Sequence, residues 1–205
     1  MKKKQFLFIL LLIGFKTAIA QGKWELRRNE NGISVYTRRA ATGNLKELRV
    51  VCELIATKTQ LINTIEDIGN YSSWVYSNKK SYILKTLSPG KIIYYTQARL
   101  PWPLRDRDLI LELTVNPSPD VLNITVKSVP EYLPKNDDYV RVPYSLALWK
   151  VVQETDNKLK IDYTFSVDPG GNIPVWIVNA TMAIGPYNSF VRLREVLKDA
   201  KKVPL

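Results

Sequence analysis

The sequence predicts an α+β protein in which one curved antiparallel sheet wraps around a long C-terminal helix. Three observations predict it. Period-two alternation of apolar and polar residues recurs through most of the chain, the mark of half-buried strands. Helical spacing is confined to a short region after the first strands and a long one at the end. No repeat, linker or low-complexity tract separates Trp24 from Leu197, so a single domain is expected. A sheet with one dry face needs a cover, and the last helix is the main one available.

The chain opens with a different kind of segment. Lys2, Lys3 and Lys4 precede an apolar run from Phe6 to Phe15, and Ala18-Ile19-Ala20 follows. A basic start, a short apolar stretch and small residues in an A-x-A arrangement are the signature of a secretory signal peptide. The run is shorter than the roughly 20 residues a bilayer requires. Residues 1–20 are therefore expected to be a cleaved leader and residues 21–205 an exported domain, periplasmic or secreted, of a bacterium. Removing four lysines and no acids takes the formal net charge from +11 to +7. Such a charge favours an anionic membrane surface, whereas its scattered distribution gives no footprint for nucleic acid.

Strands are expected at Ile33–Thr37, at Leu48–Leu54, at Ser81–Thr86 and at Lys91–Gln97. Further on, Leu109, Leu111, Leu113 and Val115 alternate with Ile110, Glu112 and Thr114, and Leu122, Ile124 and Val126 with Asn123 and Thr125. A long strand fits Tyr139–Val152, and the cleanest alternation runs from Leu159 to Val167. Such patterns build antiparallel sheets with one wet and one dry face. Thr57-Lys58-Thr59-Gln60 reads as a capping box ahead of Leu61, Ile65 and Ile68 at helical spacing, and a short helix is expected over Tyr71–Tyr76. Asp168-Pro169-Gly170-Gly171 stops the last strand, and Pro174 suits the start of a helix over Val175–Leu197. Trp176, Ala183, Phe190 and Leu197 form its apolar stripe, and Gly185-Pro186 should kink it or break it.

Much chemistry is excluded by composition. With no His, neither a Ser-His-Asp nor a Cys-His arrangement exists, and with one Cys no zinc cluster of Cys and His can form. Cys52 has no partner within the chain and shares a face with Val50 and Leu54, which makes it a buried structural thiol. No phosphate-cradling glycine motif occurs. The carboxylate pairs Glu66-Asp67, Asp106 with Asp108, and Asp137-Asp138 read as loop charges rather than acid–base machinery. No catalytic residue, metal or cofactor is expected.

Two stretches carry unusual chemistry. In Arg99-Leu100-Pro101-Trp102-Pro103-Leu104-Arg105-Asp106-Arg107-Asp108, prolines pin a loop that presents Trp102 and Leu104 among arginines. That composition suits docking at a lipid–water interface; the alternative is that Trp102 folds inward as an anchor. The second stretch, Asp168–Trp176, launches the final helix.

Pro101-Trp102-Pro103-Leu104-x-x-Arg107-Asp108, then Val140-Arg141, then Asp168-Pro169-Gly170-Gly171-x-Ile173-Pro174-x-Trp176, resemble the START family of lipid-transfer domains, over nearly the whole chain after the leader. The resemblance implies a helix-grip fold, a nine-stranded antiparallel sheet around a C-terminal helix and a lipid tunnel, with the Pro101–Leu104 loop and the helix as a movable gate. It implies a monomer that carries one lipid or other hydrophobic molecule and touches membranes transiently. Under that reading the ligand is expected to meet Leu111 and Leu113, Tyr163 and Phe165 on the strands, and Trp176 and Met182 on the helix. Several family members carry a head-binding arginine six residues after the Arg of the Arg-Asp pair, where this chain has Leu113. Tyr95, Gln97 or Arg99 is expected to supply the polar contact instead, and Arg141 to pair with Asp106 or Asp108. The alternatives are a cyclase- or aromatase-type enzyme on the same scaffold, or an interaction module whose interior is filled by its own side chains.

Overall fold

The computed structural model describes residues 22–40 and 46–199; the expected leader lies outside the described residues. Strands β1 (Glu25–Glu30), β2 (Ile33–Arg39) and β3 (Lys46–Leu54) come first, followed by helices α1 (Lys58–Glu66) and α2 (Tyr71–Trp74). Then come β4 (Asn78–Ser88), β5 (Lys91–Ala98), β6 (Arg107–Pro117), β7 (Val121–Ser128), β8 (Val140–Arg141), β9 (Tyr144–Thr155) and β10 (Lys158–Asp168). Helices α3 (Val175–Thr181) and α4 (Ile184–Asp199) are the last described elements. The sheet order is β1-β2-β3-β10-β9-β7-β6-β5-β4, antiparallel throughout, with the short β8 added in parallel to β6.

Alternation decides which residues line the concave face. Val35, Leu48, Val50, Leu54, Leu113, Leu122, Val151, Leu159 and Ile161 are fully buried there. Phe190, Leu193 and Leu197 on α4 close over them. Each such side chain contributes about 1.5–3 kcal/mol on leaving water, which is what holds helix to sheet. Helix α1 begins as its sequence prescribes: Thr57 Oγ1 accepts from the Gln60 amide at 3.1 Å while Gln60 Oε1 accepts from the Thr57 amide at 2.9 Å.

Three features differ from the sequence expectations, and a fourth, the expected break in the C-terminal helix, is present; each has a local reason. Strand β1 carries no apolar alternation and was not expected; it exists because Asn31 and Gly32, both at positive φ, turn the chain into a hairpin against β2. The expected strand over Tyr139–Val152 is split between Arg141 and Tyr144, because Pro143 has no N–H for a ladder. The C-terminal helix breaks at Met182-Ala183, ahead of Gly185-Pro186: Pro186 cannot donate to the Met182 carbonyl but fits the first turn of a new helix. Trp176, displaced from the stripe by that break, is 72 % exposed. Finally, the convex face is not wholly wet. Ile93, Tyr95 and Ile110 form a second buried cluster there, against Leu84, Val129 and Leu133.

Cys52 is 3 % exposed, and burial pushes its thiol up to about 12. The thiolate, the reactive species, is therefore scarce in the native protein at pH 8. A disulfide exchange reagent should leave Cys52 unmodified over hours in buffer and titrate one thiol within minutes in urea; rapid native labelling would contradict the packing described.

Candidate functional site

Between the sheet and α4 lies a cavity of about 290 Å³. Its position follows from residue size. On α4 the first positions to face the sheet are Gly185, Pro186 and Ser189, and on β9 they are Ser145 and Ala147. One turn further along, Phe190 meets Trp149 at 5.1 Å and Tyr163 at 5.3 Å between ring centroids, and those rings pack at 4.8 Å. Small residues leave a void and large ones close its floor. The roof comes from Trp74, Val75 and Tyr76, held to the helix by the Tyr76 amide donating to Ser189 Oγ at 2.9 Å.

The polar groups of the wall are neutral. Asn78 Nδ2 donates to Ser81 Oγ and Thr96 Oγ1, both at 2.7 Å, and Gln97 Nε2 donates to the Tyr95 hydroxyl at 2.9 Å. Tyr71 gives its hydroxyl to the Ile65 carbonyl at 2.6 Å. Burial raises the phenols of Tyr71, Tyr94 and Tyr163 above their ordinary range, so all three stay protonated at neutral pH.

Of the residues expected to meet a ligand, Gln97, Leu111, Tyr163 and Phe165 lie on the cavity wall. The others lie elsewhere. Leu113 and Met182 are part of the packed core. Tyr95 belongs to the convex cluster, because the run Ile92-Ile93-Tyr94-Tyr95 is apolar on both faces and conceals its phase; Tyr94 and Thr96 face the cavity in its place. Arg99 is exposed and its amide donates to the Ser77 carbonyl at 2.8 Å, while Trp176 stands on the surface of α3. Residues that sequence reasoning missed include large apolar ones such as Trp74, Tyr94, Trp149 and Phe190, and small or polar ones such as Asn78, Ser145, Ala147 and Ser189. For Ser145, Ala147 and Ser189 the signal was available as small side chains in an otherwise bulky inward phase.

The 99–108 loop leaves the cavity rim directly after Ala98. Pro101, Trp102 and Pro103 are exposed, Trp102 by 92 %, and Leu104 is half-buried, its amide donating to the Pro101 carbonyl at 3.0 Å. Trp102 is thus no inward anchor. Asp106 ties the loop's two ends, accepting from the Leu100 amide at 3.2 Å and from Lys79 Nζ at 3.1 Å, which holds its carboxyl below the usual range.

Behind the loop two arginines do different jobs. Arg141 pairs with Asp108 through Nε–Oδ1 at 3.0 Å and a second nitrogen to Oδ2 at 2.8 Å, and also donates to the carbonyls of Pro130, Leu133 and Pro134. Arg107, only 4 % exposed, donates to the carbonyls of Pro169 at 3.3 Å and Gly170 at 3.1 Å, and to that of Arg105. It therefore fastens the loop's base to the turn that launches α3. Both glycines of that turn have positive φ, and a Cβ on Gly170 would meet Pro143 Cδ at 3.0 Å and the Arg141 carbonyl at 3.1 Å. The two odd stretches of the sequence are thus halves of one joint.

A concave antiparallel sheet gripping a C-terminal helix around an apolar cavity defines the class of helix-grip proteins. The START domain family model matches residues 16–202, and this chain belongs to that family. It is 26 % identical to an uncharacterized protein of Pseudomonas aeruginosa over 83 % of this chain and 85 % of that one. It is 28 % identical to the mouse START domain-containing protein 10 over 78 % of this chain, and that match spans 56 % of the relative's length. Among solved structures, the STAR-related lipid transfer protein of Xanthomonas axonopodis superposes with a TM-score of 0.80 at 28 % identity, covering 85 % of this chain and 98 % of that one. An aromatase/cyclase from Streptomyces shares the fold at a TM-score of 0.55 and 11 % identity.

Substituting Arg107 by Met should leave the Pro169 and Gly170 carbonyls without their buried donor, a loss of about 1–3 kcal/mol in urea unfolding. Amide exchange over residues 170–173 should accelerate while β3 and β10 stay protected. Asp108→Ala strands the Arg141 charge and should cost more, about 3–5 kcal/mol.

Proposed function

We propose that this protein binds a single hydrophobic ligand between sheet and helix and carries it between membranes after export to the periplasm or beyond. The observation that supports this reading is the apolar cavity with a tryptophan-tipped loop at its rim. Every methylene that leaves water for such a cavity contributes about 0.8 kcal/mol, so an alkyl chain needs no covalent tether to be retained. The same magnitude makes spontaneous release into water slow, and the carrier must open where the ligand can pass directly into lipid. The exposed Trp102 suits the headgroup region of a bilayer, and the 99–108 loop, joined through Arg107 to the turn before α3, is the gate. The protein acts as a monomer in transient contact with the membrane surface. Carriage rather than turnover is favoured by the wall itself, whose described residues include no carboxylate, lysine or cysteine to move a proton.

The full-length gene, expressed and purified without detergent, should yield protein whose native mass carries one co-purified lipid per chain. Ala147→Trp, which fills the cavity from β9, should yield empty protein of unchanged fold. Consistently empty unaltered protein would favour a filled interaction module and end the carrier reading. Trp102→Asp should slow lipid exchange with vesicles at least fivefold while its unfolding free energy stays within about 0.5 kcal/mol of the unaltered protein, as expected for an exposed site. An unchanged exchange rate would remove the loop from the mechanism.

A further inference from the structure

We propose that the ligand passes between the 75–77 segment and the first turn of α4, and that Ser189 is the positioning residue that latches this portal; this rests on the carrier reading above. Three observations lead there. The first is where the wall meets solvent. Among the described wall residues Tyr76 alone is exposed, by 39 %, so its side chain borders both cavity and bulk water. Its ring lies against the barest point of α4, where a Cβ added to Gly185 would stand 3.6 Å from Tyr76 Cδ1. When that ring swings away, Gly185 has no side chain to fill the gap.

The second observation is that α4 is fastened unequally on its two sides. Tyr187 and Arg194, seven residues apart, share one side of the helix, and Ser189 and Arg192 lie about half a turn round from them. The Tyr187 side is bound to the β1–β2 hairpin. Its hydroxyl accepts from Asn31 Nδ2 at 3.1 Å and donates to Glu30 Oε2 at 3.4 Å, and the Arg28 guanidinium sits 3.5 Å from the ring centroid. Arg194 adds a bond to the Asn31 carbonyl at 2.7 Å. The Ser189 side meets the cavity roof through Tyr76. Ser189 Oγ accepts the Tyr76 amide at 2.9 Å and donates to the Gly185 carbonyl at 3.0 Å, while Arg192 stands 5.5 Å from the Tyr76 ring centroid. A helix held in this way pivots on the hairpin and opens at Tyr76.

The third observation is strain beside the latch. Ser77 has a φ of 59°, in the left-handed region that side chains other than glycine rarely occupy. Such strain persists where surrounding contacts impose it, and it concentrates at switch points. The contacts here are identifiable. The Ser77 carbonyl accepts from the Arg99 amide at 2.8 Å, so the 99–108 loop and α4 both close on the same two residues. Release of Tyr76 from Ser189 therefore frees the corner from which the tryptophan-tipped loop departs.

In the test, the full-length gene product is loaded with dansyl-labelled undecanoate, which accepts energy from Trp74 and Trp149 at the wall. Release into unlabelled vesicles of phosphatidylcholine and phosphatidylglycerol is then timed. Ser189→Ala should release the probe about fivefold faster, the worth of one hydrogen bond, and Ser189→Thr, which restores the hydroxyl, should return to within about twofold of the unaltered rate. Tyr187→Phe, on the hairpin side, should lower stability in urea yet keep release within about twofold. A Tyr76→Cys/Ser189→Cys variant, loaded and then oxidised, should retain the probe until a reductant is added; the buried Cys52 takes no part. Unchanged release by Ser189→Ala, or equal acceleration by Tyr187→Phe, would overturn the latch. Free release from the oxidised double variant, or failure of its two new thiols to pair, would overturn the portal while leaving carriage intact. An unaltered protein that binds no probe would overturn carriage and portal together.

Discussion

The structure depends on a dipeptide at the start of β6. Arg107 and Asp108 are consecutive in a strand and so point to opposite faces. Asp108 meets Arg141 in a pair whose side chains are 1 % and 4 % exposed. A buried carboxylate without that partner would carry a large desolvation penalty, so the pair can exist only if β8 runs alongside β6 and brings Arg141 into place. The remaining guanidinium donors then require acceptors, and the carbonyls of Pro130, Leu133 and Pro134 fold over the convex face to supply them. Ile93, Tyr95 and Ile110 are buried as a consequence. On the opposite face Arg107 lacks a carboxylate and takes carbonyls of the 168–171 turn, which fixes where the terminal helices begin. The charge pair and the arginine beside it thereby set, on opposite faces of β6, the covered convex side and the turn from which the terminal helices start.

The interior is divided between solid and hollow. At the far end Leu193 and Leu197 are fully buried in one cluster with Leu54, Leu61 and Val151, as in any close-packed core. At the near end the facing residues are too small to touch. Interiors rarely tolerate such a gap, because each missing contact forfeits dispersion energy and lined cavities destabilise in proportion to their volume. The cost is confined to the end where α3 and α4 are already separate, where the Pro186 break interrupts the helical ladder. The close-packed contacts that hold helix to sheet are thus concentrated at the solid end.

How much of this was legible in the sequence depended on whether one residue class had one environment. Strands β3 and β10 read cleanly because their inward residues, Leu48, Val50, Leu159 and Ile161, alternate with charged or hydroxyl residues. The capping box at Thr57 read cleanly because its partners are three residues apart and need nothing else. Strand β5 did not, because both faces are covered and Ile92 to Tyr95 look alike; the phase that separates Tyr94 from Tyr95 is set by a segment around Leu133 distant in sequence. Strand β1 was invisible because its residues are mostly charged and show no apolar alternation. Pro186 announced a break, though the helix ends a few residues ahead of it, whereas Pro143 was read through because the apolar alternation continues on both sides of it.

The cavity was the hardest feature to read, and the reason is instructive. A binding site made of cations or nucleophiles stands out by residue type, but one made of absent volume is written in glycine, alanine and serine, which also occur for ordinary reasons. Only in register does the pattern become specific. Ser145 and Ala147 precede Trp149 and Val151 on β9, just as Gly185, Pro186 and Ser189 precede Phe190, Leu193 and Leu197 on α4. Each element runs from small to large, and the sheet topology places the two small ends opposite each other. A strand and a helix that were small in unrelated places would each be tightened by neighbours; aligned, they cannot be. The void is therefore a property of two sequence gradients meeting, and its neutrality follows from the same choice, since none of those small residues can carry a charge.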